Sequence, residues 1–180
     1  MSDSIHSRFT DLSRVYYTRP ETKPIYLVDV IKKLEKSFKK VSGNFLEWFG
    51  EGHEEMPGVL YNIGYGENKF SFTAGELNEL FSKNFGRAPS VIQVLLTILE
   101  NKRKFEIKNL VTVCLVEEKH KGNFCMVFTN GSIVDIKHVD KSFPLLAHSG
   151  IIFGSDDIHF LDEKQFVPQT QRFSFAVKHN

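Results

Sequence analysis

The polar side chains best suited to chemistry in this sequence lie along one predicted helix. Residues 89–102 predict a helix because apolar residues recur at three- and four-residue steps over more than half of its circumference. The other positions form a polar strip at helical spacing, which consists of Ser90, Gln93, Thr97 and Asn101. Asn and Gln can pair bidentately with adenine, and Ser and Thr can reach base edges or phosphates. The strip therefore predicts contact with nucleic acid, although Glu100 beside it would face the phosphates.

Basic residues at the ends of this helix could anchor the phosphates of such a ligand. The segment directly after the helix holds Lys102, Arg103 and Lys104. The other predicted phosphate contacts are Arg87, Lys108, Lys119 and Lys121. Residues 74–121 contain eight Lys and Arg against six Asp and Glu, so the local excess of positive charge is small. A core helix with an ordinary solvated strip would give the same pattern.

The order of the predicted elements around the strip resembles a winged helix-turn-helix. A first helix opens at Thr73, where Thr73 and Glu76 fit a capping box, and ends at Gly86. The 89–102 helix, the basic segment and a β-hairpin follow, so the winged-helix-like core spans about residues 69–130. The resemblance implies a recognition helix in the DNA major groove. It favours DNA over RNA, and the first hypothesis is a non-catalytic nucleic-acid-binding protein.

A protein-binding module without catalytic activity is the main alternative. The formal net charge of the 180 residues is +1, so no global field draws the chain to nucleic acid or to an anionic membrane. The 17 phenylalanines fit a protein that holds a partner through an aromatic surface or an edge strand, although core filling accounts for most of them. Neither hypothesis requires a cofactor, and none is predicted.

Two acid-x-Lys tripeptides suggest a third hypothesis, a magnesium-dependent nuclease. Glu106-Ile107-Lys108 and Asp135-Ile136-Lys137 match the pattern found at a strand end in the PD-(D/E)xK nucleases. That chemistry needs two carboxylates on one Mg²⁺ and a lysine near the attacking water. Strand alternation places Asp135 and Lys137 on one sheet face, but Glu117 lies two strands away, roughly 10 Å or more. We therefore predict no catalytic residue and no metal ligand.

The two cysteines, Cys114 and Cys125, predict a reducing setting rather than a disulfide framework. Their apolar neighbours raise the pKa of a thiol and make it inert. Symmetric turns would place Cys114 opposite Cys125, and Val127 opposite Val134. Residues 1–24 lack the apolar centre of a secretory signal, and no apolar run could span a membrane, so we expect an intracellular chain, cytoplasmic or nuclear.

The composition of the chain and the order of its predicted elements indicate one domain. Hydrophobic residues make up 41% and charged residues 25% of the chain, which is ordinary for a soluble globular protein. Residues 1–23 are polar and have no period, so they predict a flexible arm before a domain of residues 24–180. A helix with a lysine-rich solvated face runs from Pro24 to about Lys40, and residues 58–73 predict two strands joined by a glycine turn.

Three strands, 108–118, 123–129 and 132–139, predict an antiparallel meander whose second turn is Asn130-Gly131. Both faces of this meander are largely apolar, so we expect it to be covered on both sides. A hairpin at 150–161 and a strand at 172–178 follow. The predicted fold class is α+β, with an N-terminal helix, a winged-helix-like helix-turn-helix, and an antiparallel β-meander with a C-terminal hairpin and strand.

Overall fold

The structure, a computed structural model, describes residues 9–15, 23–55, 62–84, 86–108, 111–116 and 124–155. The helices in these ranges are α1 (Leu27–Ser37), α2 (Phe45–Phe49), α3 (Ala74–Asn84), α4 (Val91–Glu100) and α5 (Lys102–Lys108). The strands are β1 (Phe9–Val15), β2 (Ile25–Tyr26), β3 (Lys40–Ser42), β4 (Glu54–Glu55), β5 (Asn62–Asn68), β6 (Phe72–Thr73), β7 (Gly86–Arg87), β8 (Thr112–Val116), β9 (Phe124–Thr129), β10 (Ile133–Val139), β11 (Pro144–Leu145) and β12 (Gly150–Ser155). The predicted α+β class is confirmed.

A mixed sheet of eight strands forms the centre of the described fold. Its order is β1-β5-β12-β8-β9-β10-β3, and β7 pairs with the end of β12. Strands β8, β9 and β10 form the predicted antiparallel meander, whereas β12 runs parallel to β8 and β3 runs parallel to β10. Two short ribbons, β2 with β4 and β6 with β11, lie outside this sheet. The antiparallel prediction therefore holds for the meander but not for the whole sheet.

Strand alternation divides the hydrophobic core between the two faces of the sheet. One face carries Cys114, Val127, Val134, Ile136 and Ile152. The opposite face carries Phe124, Met126, Val139 and Ile151. Helices α1, α2, α4 and α5 cover the first face, and α3 covers the second. The consecutive helices α3 and α4 therefore pack on opposite faces of the sheet, and not against each other as the two helices of a helix-turn-helix would.

The faces of the meander are as predicted, but its register is shifted by two residues. Cys114 lies opposite Val127 and not opposite Cys125. Val134 lies opposite Thr129 and not opposite Val127. A shift of two residues keeps every side chain on its face, because side chains alternate across a strand with a period of two. The two apolar faces predicted for the meander survive this error, and the predicted cross-strand partners do not.

The side chain of Asn130 explains the shift at the second turn. Its Oδ1 atom accepts hydrogen bonds from the backbone N–H groups of Ser132 and Ile133, at 2.9 and 3.0 Å. Asn side chains that bond to the backbone two residues ahead form a turn of their own. The connection is therefore longer than the two-residue turn expected from Asn130-Gly131, and of these two residues only Gly131 has a positive φ, 87°.

A single helix was predicted over residues 89–102, and the structure breaks this segment in two at Asn101. The Asn101 Nδ2 atom donates to the carbonyl oxygen of Thr97 at 2.8 Å, so the side chain closes α4. Helix α5 then buries Phe105 against Tyr65, with the ring centroids 5.9 Å apart. Because this burial holds the segment in a helix, the strand predicted from residue 108 onward begins only at β8.

Helix α1 begins later than predicted, at Leu27 and not at Pro24. The two residues before it form β2, which pairs with β4, and the Leu27 N–H donates to the His53 carbonyl at 2.9 Å. Within the helix, Leu27, Val30 and Leu34 are buried, at the three- and four-residue steps of an amphipathic helix. Tertiary pairing thus overrides the helix-start preference of proline at this position.

Two more segments differ from their predictions. Phe9–Val15, within the predicted flexible arm, forms β1 and pairs antiparallel with β5. Gly64 and Gly66 lie inside β5, paired with β12, and not in a turn. The predicted strand 172–178 and the second half of the predicted 150–161 hairpin lie outside the described residues. In the part of the chain that the structure describes, no helix is long and apolar enough to cross a membrane.

The Gly131 turn provides a test of the fold. A Cβ atom built at Gly131 would lie 2.5 Å from the Glu106 Cα atom, and the residue has a φ of +87°. We expect Gly131→Ala to lower the free energy of unfolding by roughly 3 kcal/mol, because left-handed strain of about 1–2 kcal/mol adds to a clash with the backbone of α5. Urea denaturation measures this change.

Control variants at two other glycines distinguish the backbone strain from the clash with α5. Gly50 has a φ of +93° and nothing within 4 Å of an added Cβ, so Gly50→Ala should show only the strain, about 1–2 kcal/mol. Gly52 has neither feature, and Gly52→Ala should change stability by less than about 0.5 kcal/mol. Equal losses for Gly131→Ala and Gly50→Ala would contradict the contact between the turn and α5.

Candidate functional site

The polar strip predicted to contact bases is largely buried. Gln93 is 5% exposed and Thr97 is fully buried. Gln93 Oε1 accepts from the Ser90 backbone N–H at 3.0 Å, and Ser90 Oγ accepts from the Gln93 N–H at 3.3 Å, which completes a capping box. The Thr97 hydroxyl donates to the Gln93 carbonyl oxygen at 2.7 Å. Because these groups are used inside the helix, Gln93 and Thr97 do not form a reading surface.

Burial of the strip follows from the position of α4 between α1, the β2–β4 ribbon and the sheet. Every residue from Val91 to Ile98 is buried. Glu55 on β4 reaches the start of the helix, where its Oε2 atom accepts from the Ile92 N–H at 3.0 Å. His53 Nε2 lies 4.0 Å from the same carboxylate oxygen. The absence of any charged residue between Ser90 and Glu100 was the sequence signal for such a central helix.

The basic segment after α4 is at the surface, and it is held by aromatic rings. The Lys102 Nζ atom lies 5.2 Å from the centroid of the Phe38 ring. The Lys104 Nζ atom lies 4.8 Å from the centroid of the Tyr65 ring. Both rings are buried, whereas Arg103 between the two lysines is exposed. Cation–π contacts of this kind fix the lysine stems while the charges stay near solvent.

A second basic segment, predicted to be a solvated helix face, meets the first. Phe38, under Lys102, directly follows α1, so Lys36 and Lys39 flank the same ring in sequence. The Lys39 N–H donates to the carbonyl oxygen of Ser132 at 2.8 Å, and the neighbouring Gly131 packs against α5. The end of α1 and the second half of α5 therefore border one turn, although they are far apart in sequence.

We call Lys36, Lys39, Lys102 and Arg103 the basic surface. Within the described ranges, no carboxylate lies at ion-pair distance from any of these four residues. Glu35 and Glu106 are exposed on the same two helices, and Glu100 is exposed two residues before Lys102, so these carboxylates reduce the local charge. The basic surface sets four cations against these three anions.

The remaining predicted contacts lie apart from the basic surface or outside the described residues. Arg87 lies in β7 opposite Gly154, near the end of β12, whereas Phe105 of α5 packs on Tyr65, whose ring lies against Gly150 at the start of β12. Lys108 is the last residue of α5. Lys119 and Lys121 lie outside the described residues. Ser90 and Asn101 are half-buried helix caps, so both are committed to the backbone of α4.

The acid-x-Lys sites do not assemble a metal centre in the described part of the chain. Asp135 Oδ1 accepts from the Ser42 hydroxyl at 3.0 Å, and Lys137 Nζ lies 3.8 Å from Asp135 Oδ2. Glu106 lies on helix α5 and not at a strand end, and Glu117 lies outside the described residues. Among the described residues, no group of three His, Cys, Asp or Glu side chains could hold a metal ion.

Both cysteines are buried with free thiols on the sheet face that α1 and α4 cover. Burial raises the pKa of the Cys114 thiol well above its ordinary value. Cys114 and Cys125 occupy diagonal positions of the β8–β9 pair, since Cys114 lies opposite Val127 and Cys125 opposite Val116. A buried protonated thiol is a poor nucleophile, which fits the inert role predicted for both residues.

Alkylation measures this burial directly, because Cys114 and Cys125 are the only cysteines in the chain. We expect iodoacetamide at mildly alkaline pH to leave the native protein unlabelled and to label two thiols in guanidinium chloride, as read by mass spectrometry. The variants Cys114→Ser and Cys125→Ser identify which thiol reacts. Rapid labelling of the native protein would contradict the buried positions.

The chain has no significant match to a protein-family model, to a curated protein or to a solved structure. No relative therefore suggests a substrate, a partner or a reaction for this fold. The function must be inferred from the residues of the chain and from their arrangement.

Proposed function

We propose that this protein binds nucleic acid without catalysis, through phosphate contacts made by the basic surface. The observation that carries the proposal is the position of Lys102 Nζ over the Phe38 ring, 5.2 Å from its centroid. This contact joins the end of α1 to the start of α5 and so brings basic residues from two segments to one place. Lysines scattered singly over the surface would not bring several positive charges to one place.

The physics of phosphate binding favours such a surface. Exposed charges act over a Debye length of about 10 Å at ordinary ionic strength, so a local cluster can attract a polyanion even when the net charge is small. Each phosphate that is neutralised releases condensed counterions and strengthens binding at low salt. Cations without a carboxylate partner can make these contacts without first breaking an ion pair.

The proposed mode of binding differs from that of a winged helix. Helices α3 and α4 lie on opposite sheet faces, and Gln93 and Thr97 are buried, so no recognition helix is part of the proposal. Phosphate contacts carry no direct sequence information, and we propose weak or no base preference. DNA duplex is the favoured ligand, because the rings at this surface, Phe38 and Tyr65, are covered by lysines and offer no platform for stacking single-stranded bases.

Exposed apolar residues support the second candidate, a protein-binding module. Phe70 is 63% exposed and Leu146 is 67% exposed. Asn68 connects their two loops, because its Nδ2 atom donates to the Leu146 carbonyl oxygen at 3.4 Å and its backbone carbonyl accepts from the His148 N–H at 2.8 Å. Large apolar side chains that are held in the open are typical of partner contacts. This candidate needs no basic surface, so the two proposals can be distinguished.

Fluorescence anisotropy of a labelled random DNA duplex, titrated with protein at several salt concentrations, tests the first proposal. The variant Lys39→Ala/Arg103→Ala removes one exposed cation from each segment of the basic surface. We expect the loss of about two phosphate contacts, which lowers the slope of log K against log salt by about 1.8 and weakens binding about tenfold at low salt. A gel of the products with Mg²⁺ present shows whether any cleavage occurs.

The matched control is Lys23→Ala/Lys141→Ala, which removes the same charge from exposed positions elsewhere. Lys23 precedes the start of α1, and Lys141 follows the end of β10 that is remote from Ser132. The control should bind duplex within about twofold of the parent protein, because phosphate contacts act over short range. Equal effects of the two variants would reject the basic surface, and no binding at low salt would favour the protein-binding candidate.

A further inference from the structure

A cleft opens beside α1, next to the basic surface: its lining residues Lys33 and Glu100 precede Lys36 and Lys102 by three and two residues. It lies between the start of α1, the adjoining strand β2 and the last turn of α4. Its volume is about 380 Å³. Small-molecule sites usually have volumes of about 300–1,000 Å³, so this cleft suits a compact ligand rather than a nucleotide or a polymer.

The floor of the cleft is apolar. Val30 and Leu96 are buried beneath it, and Ile25 and Leu99 are half-buried at its sides. Tyr26 forms one wall with its ring partly exposed. Its hydroxyl is hydrogen-bonded to Glu54, and this bond and the negative charge raise the pKa of Tyr26. An apolar or aromatic group would therefore pack against a preformed apolar surface. The hydrogen bond to Glu54 holds the Tyr26 wall of the cleft in place.

Charged residues of both signs line the rim of the cleft. Lys23 and Lys33 supply two cations, and Asp29 and Glu100 supply two anions. Asp29 and Lys33 have the spacing that often gives an ion pair on a helix, yet they form none. Within the described ranges, Lys23 also has no carboxylate at ion-pair distance. Among the described residues, the rim therefore offers unpaired charges of both signs, Lys23, Lys33 and Asp29, around one apolar floor.

We infer that this cleft binds a small zwitterion with an apolar body, such as a free apolar α-amino acid. The apolar side chain of the ligand lies on Val30, Leu96 and Leu99. The ammonium group faces Asp29, and the carboxylate faces Lys23 and Lys33.

The presence of both signs of charge at the rim selects this class of ligand. A simple carboxylic acid would meet the two lysines but would be repelled by Asp29. A simple amine would have the opposite problem. A zwitterion satisfies both sets of charges and adds no net charge to the site. The proposal is independent of nucleic-acid binding, because none of the residues of the basic surface lines the cleft.

Nuclear magnetic resonance of the ¹⁵N-labelled full chain tests this inference. L-Phenylalanine and L-leucine, titrated to millimolar concentrations, should shift the amide signals of the residues that line the cleft and saturate them. Phenylpropionate lacks the ammonium group and phenethylamine lacks the carboxylate, so each should bind about tenfold more weakly than L-phenylalanine.

Variants with matched controls locate the ligand in the cleft. Asp29→Asn and Lys33→Gln each remove one rim charge and should weaken L-phenylalanine binding about tenfold. Lys32→Gln changes an exposed neighbour that does not line the cleft, and it should leave binding unchanged. Leu99→Trp fills the half-buried side of the cleft and should abolish binding, with an unchanged amide spectrum elsewhere as evidence of folding.

Three outcomes would overturn the inference. The first is the absence of saturable shifts with either amino acid. The second is equal binding of L-phenylalanine and its two analogues, because the rim charges would then play no part. The third is equal weakening by Lys32→Gln and Lys33→Gln, which would assign the effect to the charge of α1 as a whole.

Discussion

The fold depends on the burial of α4, in which every residue from Val91 to Ile98 is buried. Burial removes water from the backbone groups of a helix, so its first N–H groups and last carbonyl groups need partners from the protein. Ser90 and Glu55 provide acceptors at the start, and Asn101 donates to the Thr97 carbonyl at the end. Each partner determines a neighbouring element: Glu55 holds the β2–β4 ribbon against the helix, and Asn101 ends α4 so that α5 can turn back over the sheet.

This constraint removes the predicted polar strip of α4 from binding. Gln93 and Thr97 are needed for the cap and the backbone of the helix, so neither side chain is left for a ligand. The accessible charges lie instead on the elements that wrap the helix. The cleft is formed where α1 and β2 meet its last turn, and the basic surface is formed where α1 and α5 border the Gly131 turn.

Sequence patterns predicted the parts of the fold that depend on local periodicity. The amphipathic stripe of α1 and the two apolar faces of the meander needed only the spacing of apolar residues. Errors arose where one side chain decided the outcome. Asn130 lengthened a turn through two hydrogen bonds, and Asn101 divided a helix through one. Composition does not reveal such bonds. The helix-turn-helix prediction failed because adjacency in sequence does not place α3 and α4 on one face of the sheet.

Only half of the residues of the basic surface were predicted from the sequence, for a related reason. Lys102 and Arg103 attract attention because basic residues follow an apolar helix, and this local signal was sufficient to single them out. Lys36 and Lys39 carry the same charge, but on an amphipathic helix they match an ordinary solvated face. Only the contact of Lys102 with Phe38, and of Lys39 with the Ser132 carbonyl, joins the two segments. A surface built from separate segments depends on register and packing. The periodicity of a sequence predicts neither, so such a surface can be identified only once the fold is known.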